Sequence, residues 1–247
     1  MKAYAKTDIG AKRTTNQDYV FCSMEPVGNL PNLFIVADGM GGHKAGDLAS
    51  RYTVEKFLEV VKSSSETNPI TIIEQAVKTA NTSLIEKSKE SIDYEGMGTT
   101  LVVATIIGDS VYIANIGDSR LYLVNSEIQQ ITRDHSLVEE MINLGEIDRK
   151  KARTHEKKNI ITRAVGVDTE VCADFFEIDY VNGDILLMCS DGLSNMIDDE
   201  DMKRIINQGS ELCDIGNKLI DTANLNGGKD NISVILIEPD DREVRTC

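Results

Sequence analysis

Short apolar runs separated by turn-forming residues recur along most of this chain, and each run predicts a β-strand. The first three strands are predicted at about Ala3–Asp8, Tyr19–Met24 and Leu33–Asp38. A β-meander is predicted next, because the clusters GDS, GDS and NS separate the runs TTLVVATII, SVYIANI, RLYLVN and EIQQIT. Three later runs complete the predicted strands: DFFEID, DILLMCSD and NISVILIE, the last of which closes the sheet.

Helical patterns form two separated pairs. The predicted spans are about Asp47–Lys62, Ile70–Glu90 (introduced by Pro69), Asp199–Gln208 and Glu211–Leu225. Residues 136–158 are highly charged and break the strand rhythm, so they predict short surface helices that form a flap. No linker, repeat or low-complexity segment interrupts the chain, and residues 1–247 are interpreted as a single domain. Hairpin strands with two separated helix pairs favour an α+β layered sandwich over a doubly wound fold.

Four of the apolar runs or loops end on an aspartate beside a glycine or asparagine. These are FIVADG at Asp38, VYIANIGD at Asp118, ILLMCSDG at Asp191 and GGKDN at Asp230. A strand that stops at a carboxylate directs it out of the sheet rim, and the adjacent glycine allows close backbone approach. Carboxylate and carbonyl oxygens suit Mg²⁺ or Mn²⁺ better than zinc. The pattern therefore predicts a metal site at one end of a sheet.

Composition narrows the class of partner. The net charge of −15 and the pI near 4.6 disfavour nucleic acid or an anionic membrane, and the absence of Trp argues against a base-stacking surface. Five cysteines without a CxxC pair indicate a reduced, intracellular protein. The start MKAYAKTDIG lacks the apolar core of a signal peptide, and no apolar run approaches about 18 residues. We therefore expect a cytoplasmic protein.

Eight segments, taken in order, resemble the motifs of one protein family. They are RTTNQD (13–18), ADGMGG (37–42), GMGTTL (96–101), ANIGDSRLYL (114–123), DHSLV (134–138), ITRAVG (161–166), SDGLSNMI (190–197) and GGKDNISV (227–234). The family is that of the metal-dependent serine/threonine protein phosphatases, protein phosphatase type 2C, in its single-domain bacterial form. One segment alone is a weak signal, whereas eight in family order cover nearly the whole chain.

The resemblance implies a four-layer αββα sandwich, in which two antiparallel sheets are flanked by helix pairs and the flap lies near the site. It also implies two tightly bound Mn²⁺ or Mg²⁺ ions at one end of the sandwich. By motif position, Asp38 would bridge the two ions, with the Gly39 carbonyl on one of them. Asp191 and Asp230 would complete the other. Asp118 is where bacterial members hold an additional, weaker metal ion.

The implied reaction is hydrolysis of phosphoserine and phosphothreonine on proteins by a water molecule that the two cations activate. No Ser or Cys nucleophile is then needed. Arg13 matches the family's phosphate-binding arginine, whose planar fork suits two phosphoryl oxygens. Asp18 would accept hydrogen bonds from metal-bound water. The implied partners are phosphorylated proteins and a serine/threonine kinase that the enzyme opposes, and we expect a monomer.

Two positions depart from the family pattern. Animal members carry His directly after the DG of the first motif, where it is the proposed general acid, and this chain has Met40 there. His43 lies three residues later and is not assigned that role, so the general acid stays unassigned. Bacterial relatives usually have Pro after His155, where this chain has Glu156, and this bears on the geometry of the flap.

Plainer interpretations stand beside these. Each DG or GD alone is a turn signal, and the segment IGDSR around Asp118 also suits a hairpin turn. His135 and His155 are interpreted as surface or packing residues, and Cys189 as a buried core thiol. Two rival functions are a catalytically silent relative that only binds phosphoproteins and a small-molecule phosphatase with the same centre. Intact ligand positions argue against the first, and only substrate profiling separates the second.

Overall fold

Two antiparallel β-sheets form the centre of the computed structural model, which describes residues 1–42 and 45–239 except for the side chain of Lys150. In chain order, the strands are β1 (Lys2–Asp8), β2 (Asp18–Ser23), β3 (Leu33–Met40), β4 (Gly98–Thr99), β5 (Leu101–Ile107), β6 (Ser110–Ile116), β7 (Arg120–Val124), β8 (Ile128–Gln130), β9 (Asp174–Asp179), β10 (Ile185–Cys189) and β11 (Ile232–Glu238). The first sheet has the strand order β1-β11-β10-β7-β8. The second has the order β2-β3-β5-β6-β9, with β4 paired to β3.

Helices lie on the outer faces of both sheets and at one end of the sandwich. They are α1 (Ala45–Ser63), α2 (Pro69–Ser88), α3 (Leu137–Asn143), α4 (Arg149–Thr154), α5 (Asp191–Ser194), α6 (Asp199–Gln208) and α7 (Leu212–Leu225). The pair α1–α2 packs on the second sheet and the pair α6–α7 on the first. The predicted four-layer αββα sandwich is therefore confirmed. Among the residues described, no helix is both long and apolar enough to cross a membrane.

Alternation along the strands builds three apolar layers. In β3, Leu33, Ile35 and Ala37 face α1 and α2, whereas Phe34 and Val36 face the opposite sheet. All five side chains are fully buried. Because side chains alternate between the two faces of a strand, a continuous apolar run in this sequence means that both faces are covered. The inter-sheet layer fixes how the two sheets meet, and thereby which strand ends come together.

The predicted four-strand meander is wrong at its centre. Strands β5 and β6 pair in the second sheet, whereas β7 and β8 pair in the first. The GDS segment between β6 and β7, residues 117–119, is therefore a crossover between sheets. The hairpin interpretation of this segment fails because β7 pairs with β10, a strand far along the chain, with Leu121 opposite Met188.

The charged segment 136–158 contains two short helices, as predicted. Ser136 caps α3 by accepting the N–H of Glu139, and Asp148 caps α4 by accepting the N–H of Lys151. The helices are joined by the ion pair between Arg149 and Glu139, 3.0 Å. This unit, here called the flap, lies against the end of the sandwich at which the predicted site residues gather.

Candidate metal centre

Neighbouring strands bring two of the predicted carboxylates together. Asp18, the first residue of β2, is the register partner of Asp38 near the end of β3. Val20 and Val36, two residues away on each strand, pack between the sheets. Since side chains two apart lie on the same face of a strand, Asp18 and Asp38 also point between the sheets. Both carboxyl groups therefore lie in the gap at one end of the sandwich.

Asp18 is held by residues of the opposite sheet. Its Oδ2 accepts hydrogen bonds from the hydroxyls of Ser190 and Ser233, each at 2.7 Å. Its Oδ1 is buried and has no hydrogen-bond partner among the described residues. Burial is the largest cause that raises the pKa of Asp18 to about 7. The serine hydrogen bonds lower this pKa, and the charges of Asp191 and Asp230 raise it.

Asp38 is fixed through its backbone by the turn between β4 and β5. Its N–H donates to Thr100 Oγ1 at 2.9 Å. Its carbonyl oxygen accepts from Thr99 Oγ1 at 2.9 Å and from the Thr100 N–H at 2.9 Å. Burial raises the pKa of Asp38 well above its usual value, and the charges of Asp18 and Asp191 act in the same direction. The backbone thus holds the carboxyl group among like charges.

Gly39 lies at a close contact between β3 and helix α1. A Cβ on Gly39 would overlap the carbonyl oxygen of Gly46, in the first turn of α1. A Cβ on Gly46 would lie 2.7 Å from the Gly39 carbonyl oxygen. Glycine at both positions allows this contact, and it keeps a side chain out of the space around the carbonyl group predicted to bind an ion.

Asp191 and Asp230 come from the first sheet side of the site. Asp191 Oδ2 accepts from Asn195 Nδ2 at 2.9 Å, whereas its Oδ1 is buried without a hydrogen-bond partner in the described chain. Burial, followed by the charge of Asp230, raises the pKa of Asp191 to about 6. Asp230 Oδ1 accepts the N–H of Asn231 at 2.9 Å.

Arg13 lies beside a predicted metal ligand. Its Nη2 donates to Asp230 Oδ2 at 2.6 Å, and its Nε donates to the Lys229 carbonyl oxygen at 3.3 Å. The arginine side chain is 46% exposed. It is therefore placed at the solvent rim of the site, where a substrate would arrive, and its charge partly offsets that of Asp230.

A cavity of about 220 Å³ lies between the flap and the aspartates Asp118 and Asp191. Asp118 follows β6 in the crossover between the sheets. Burial raises its pKa well above the usual value. The charges of Asp191 and Asp134 raise this pKa further, and the guanidinium of Arg120 lowers it. The structure therefore places Asp118 and Asp191 on one cavity wall, whereas Asp18 and Asp38 lie deeper between the sheets.

The flap contacts the segment that carries Asp191. Arg153 Nη2 donates to the carbonyl oxygens of Ser194, at 3.2 Å, and Ile197, at 3.1 Å. Lys158 Nζ donates to Asn195 Oδ1 at 2.9 Å, and Asn195 in turn holds Asp191. Burial lowers the pKa of Lys158, an effect that the charge of Asp191 opposes. A hydrogen-bonded path therefore joins the flap to a predicted metal ligand.

The donor set of this site fits divalent cations. Asp18 and Asp191 each have a buried oxygen without a partner, and buried unpaired carboxylates are costly unless a cation or donor satisfies them. Burial and mutual repulsion raise the pKa of four of the aspartates. In residues 1–42 and 45–239, no group of three His, Cys, Asp or Glu side chains is arranged so that it could hold a metal ion by itself. Carbonyl groups and water would therefore supply further ligands, as Mg²⁺ and Mn²⁺ accept.

Several residues of the site were not predicted from the sequence. Ser190 and Ser233 hold Asp18, Thr100 holds the backbone of Asp38, and Asn195 holds Asp191. One signal was present for Ser233: it is a polar residue within the apolar run ISVILIE, on the face that points between the sheets. The other three residues lie inside motifs in which only the aspartate or the glycine has a recognisable role from the sequence.

The histidines, Cys189 and Met40 have the following surroundings in the structure. His135 is buried and packs in the crossover region, and Cys189 is fully buried beneath α6 and α7, as predicted. His155 Nδ1 accepts the N–H of Lys157 at 3.1 Å. The Met40 side chain packs against Gly98, since a Cβ added to Gly98 would lie 2.6 Å from Met40 Cε. His43 lies outside the described residues.

The structure combines a two-sheet sandwich with a group of buried carboxylates where the sheet ends meet. A family model described as Protein phosphatase 2C matches residues 10–220. The chain therefore belongs to the protein phosphatase 2C family, and the predicted family and enzyme class are confirmed.

Named relatives and solved structures agree with this family. The serine/threonine phosphatase stp of Listeria monocytogenes is 40% identical in an alignment that covers 97% of this chain and 96% of the relative. The crystal structure of the serine/threonine phosphatase Stp1 from Staphylococcus aureus is similar with a TM-score of 0.90 at 35% identity, and the match covers 97% of this chain and 95% of that one. The catalytic domain of the serine threonine protein phosphatase PstP, solved in complex with 2 manganese ions, has a TM-score of 0.83 at 31% identity, over 95% and 96% of the two chains.

Proposed function

We propose that this chain hydrolyses phosphoserine and phosphothreonine esters in proteins at a centre of two Mn²⁺ or Mg²⁺ ions. The observation that carries this proposal is the group of buried aspartates at one end of the sandwich, with unpaired oxygens on Asp18 and Asp191. When these carboxyl groups are ionised, their burial is costly unless cations balance the charge. The relatives are named as serine/threonine phosphatases, and one similar structure contains two manganese ions.

Asp38, the Gly39 carbonyl, Asp191 and Asp230 would hold the two ions. When bound, the ions would supply an activated water as nucleophile and would neutralise charge on the phosphoryl group. Asp118 would hold an additional, weaker ion in the cavity under the flap. Asp191 is the other predicted ligand on the wall of that cavity.

The chain's own residues would hold the attacking water and the phosphoryl group in place. Asp18 keeps Oδ1 free by engaging Oδ2 with two serines, so Oδ1 would accept a hydrogen bond from the attacking water. Arg13, at the rim, would bind two phosphoryl oxygens through its planar fork. Met40 has no proton to give the leaving alkoxide, so that proton would come from solvent or from another water in the site.

The natural substrates would be phosphoproteins modified by a serine/threonine kinase that this enzyme opposes, and the chain would act as a monomer. The position of the flap favours a protein as the substrate, because the flap and the α5 segment that it contacts form a surface beside the centre. A phosphatase specific for small molecules remains the rival, and the same assay separates the two.

The test compares hydrolysis of p-nitrophenyl phosphate and of a phosphothreonine peptide, with Mn²⁺ and with EDTA. We expect activity only with Mn²⁺ and a loss of about a hundredfold or more in Asp38→Asn and in Asp191→Asn, since each removes a ligand charge. Asp221→Asn, at an exposed position of α7, is the matched control. More than a tenth of the wild-type rate in either site variant, with about the wild-type fold by circular dichroism, would count against the centre. Rapid turnover of small esters but not of the phosphopeptide would favour the rival.

A further inference from the structure

The flap leaves and rejoins the sandwich at one place. Ser136 and Ile161 form an isolated antiparallel bridge. The Leu137 N–H donates to the Ile160 carbonyl oxygen at 2.9 Å, and the Thr162 N–H donates to the His135 carbonyl oxygen at 2.8 Å. The two connecting segments therefore move together with His135, which lies at the start of the first.

His135 holds Gly117 from both sides. The imidazole Nδ1 accepts the Gly117 N–H at 3.0 Å, and the His135 N–H donates to the Gly117 carbonyl oxygen at 2.9 Å. His135 is only 8% exposed. Burial lowers the pKa of its imidazole, so the ring is neutral at neutral pH and Nδ1 can act as an acceptor. Gly117 directly precedes Asp118.

Asp174, the first residue of β9, faces the other side of this imidazole. Its Oδ2 lies 3.3 Å from His135 Nε2. Because Nδ1 is an acceptor in the neutral ring, the ring proton is on Nε2 and faces this carboxylate. The contact is electrostatic and not a well-aligned hydrogen bond. Asp174 Oδ1 accepts from Arg163 Nη1 at 2.7 Å, and Arg163 belongs to the segment that leaves the flap. One carboxylate therefore contacts a residue from each connecting segment.

Gly117 has little freedom to move. Its φ is +100°, and a Cβ there would lie 2.6 Å from the Thr100 side chain. Thr100 Oγ1 accepts the Asp38 N–H and also lies 2.8 Å from Ser119 Oγ. A displacement of Gly117 would therefore shift Asp118, the next residue, and would also shift Thr100, which holds the Asp38 N–H.

From this geometry we propose that His135 is a positioning residue. Its hydrogen bond with the Gly117 N–H sets the position of Asp118, and its contact with Asp174 couples it to both ends of the flap. The function of Asp118 in this statement rests on the proposed function above. The hydrogen bond itself belongs to the folded chain and does not depend on catalysis.

The test uses two substitutions that each keep one end of the imidazole. In His135→Asn, the side-chain oxygen replaces Nδ1 as an acceptor, whereas in His135→Gln the amide reaches toward Asp174 and the acceptor for Gly117 is lost. Asp174→Asn weakens the contact with His135 and Arg163. Asp179→Asn, at the other end of β9, is the control.

We expect amide hydrogen exchange at Gly117, measured in EDTA, to be faster by about tenfold in His135→Gln and near wild type in His135→Asn and Asp179→Asn, since exchange reports local opening. The Mn²⁺ concentration for half-maximal activity should rise by about threefold or more in His135→Gln, with kcat reduced more than KM is raised. Asp174→Asn should show the same changes to a smaller extent.

The proposal is overturned if the Asn and Gln variants behave alike, or if exchange at Gly117 stays at the wild-type rate in His135→Gln. Should His135→Gln fail to fold, an unchanged Gly117 exchange rate and Mn²⁺ response in Asp174→Asn would overturn it instead. If the wild type lacks phosphatase activity, the proposed function fails, and the exchange measurements still decide whether His135 holds the Gly117 turn.

Discussion

At the scale of single residues, Asp18 shows how the site depends on both sheets. Its strand belongs to the second sheet, whereas the serines that hold its Oδ2 belong to the end of β10 and to β11 in the first. A hydrogen bond to a carboxylate contributes more than one between neutral groups, because the acceptor is charged. These two bonds therefore fix the sheets relative to each other at the point where the acidic residues meet.

Arg13 is open to a direct kinetic test. If the guanidinium binds phosphoryl oxygens, Arg13→Ala should raise KM and lower kcat for the phosphothreonine peptide, together reducing kcat/KM by about ten- to a hundredfold. Arg13→Lys should recover only part of this, because lysine keeps the charge and loses the planar fork. Arg51→Ala, which removes an exposed arginine with a carboxylate partner in α1, is the control.

The ion pair of Arg13 with Asp230 allows a second explanation, in which the arginine only supports a metal ligand. A Mn²⁺ titration separates the two. A substrate-binding role leaves the Mn²⁺ requirement of Arg13→Ala near that of the wild type, whereas a supporting role shifts the requirement and leaves KM in saturating Mn²⁺ unchanged. Wild-type kinetics in both variants would return Arg13 to an ordinary surface residue.

At the scale of elements, the contacts of Arg153 predict how the flap is held. The carbonyl oxygens of Ser194, at the end of α5, and of Ile197, beyond it, accept from this one guanidinium. Each hydrogen bond to a charged donor contributes about 1.5–3 kcal/mol. Arg153→Ala should therefore speed amide exchange in residues 137–154 by about tenfold. It should lower kcat/KM for the phosphopeptide by more than for p-nitrophenyl phosphate, because only the longer substrate reaches the flap.

Lys151→Ala provides the matched control for that experiment. Lys151 lies on the same helix, and its side chain is 74% exposed and 3.8 Å from Asp148. It makes no contact that would hold the flap to α5 in the described structure. Equal effects of the two substitutions on exchange would show that the loss of helix α4 charge, rather than the docking contact, controls the flap.

The elements themselves could be predicted from the sequence, because apolar alternation and caps are local. Pro69 at a helix start is an example, and Asn68 indeed caps α2 there by accepting the Thr71 N–H. The crossover at Gly117 could not be predicted, since a hairpin and a crossover use the same turn residues. The choice between them is made by the pairing of β7 with β10, which no local pattern records.

The positions of the aspartates could be predicted for a related reason. Each lies at or near the end of an apolar strand or in a glycine-rich loop. The direction of Asp38 differs from the prediction, because β3 continues to Met40 and strand alternation points this carboxyl group between the sheets. Their supports could not be predicted, because Ser190 and Thr100 are ordinary residues whose role depends on contacts between strands that are far apart in sequence. Local pattern thus identifies the charges, and long-range packing determines what holds them.

At the scale of the whole molecule, the acidic centre links stability to pH and to cations. Burial raises the pKa of Asp18 to about 7 and that of Asp191 to about 6, from an ordinary 3.8. The folded chain therefore binds more protons than the unfolded chain between about pH 4 and pH 7. The stability from this uptake is fully present below about pH 4 and is lost as the pH rises through about 7. Cations should replace the protons at higher pH.

Asp18→Asn isolates this contribution, because the amide oxygen can still accept from the two serines and the charge is gone. In EDTA at pH 8, the variant should have a free energy of unfolding about 1–4 kcal/mol greater than the wild type, since one pKa unit corresponds to about 1.4 kcal/mol. The difference should shrink toward zero as the pH falls to about 4. Comparing the two proteins cancels the opposite contributions of His135 and Asp174, whose pKa values are lowered.

Mn²⁺ should reverse the order of the two proteins at pH 8. The wild type gains stability by mass action, because the unfolded chain has no assembled site, and the variant gains less since its centre carries one negative charge fewer. Urea unfolding of both proteins at pH 5 and pH 8, each with EDTA and with Mn²⁺, measures these free energies of unfolding. A variant that is no more stable than the wild type in EDTA at pH 8 would show that the charge of Asp18 is balanced within the folded chain without cations. In that case the acidic centre would have to be explained by internal hydrogen bonding rather than by a requirement for metal.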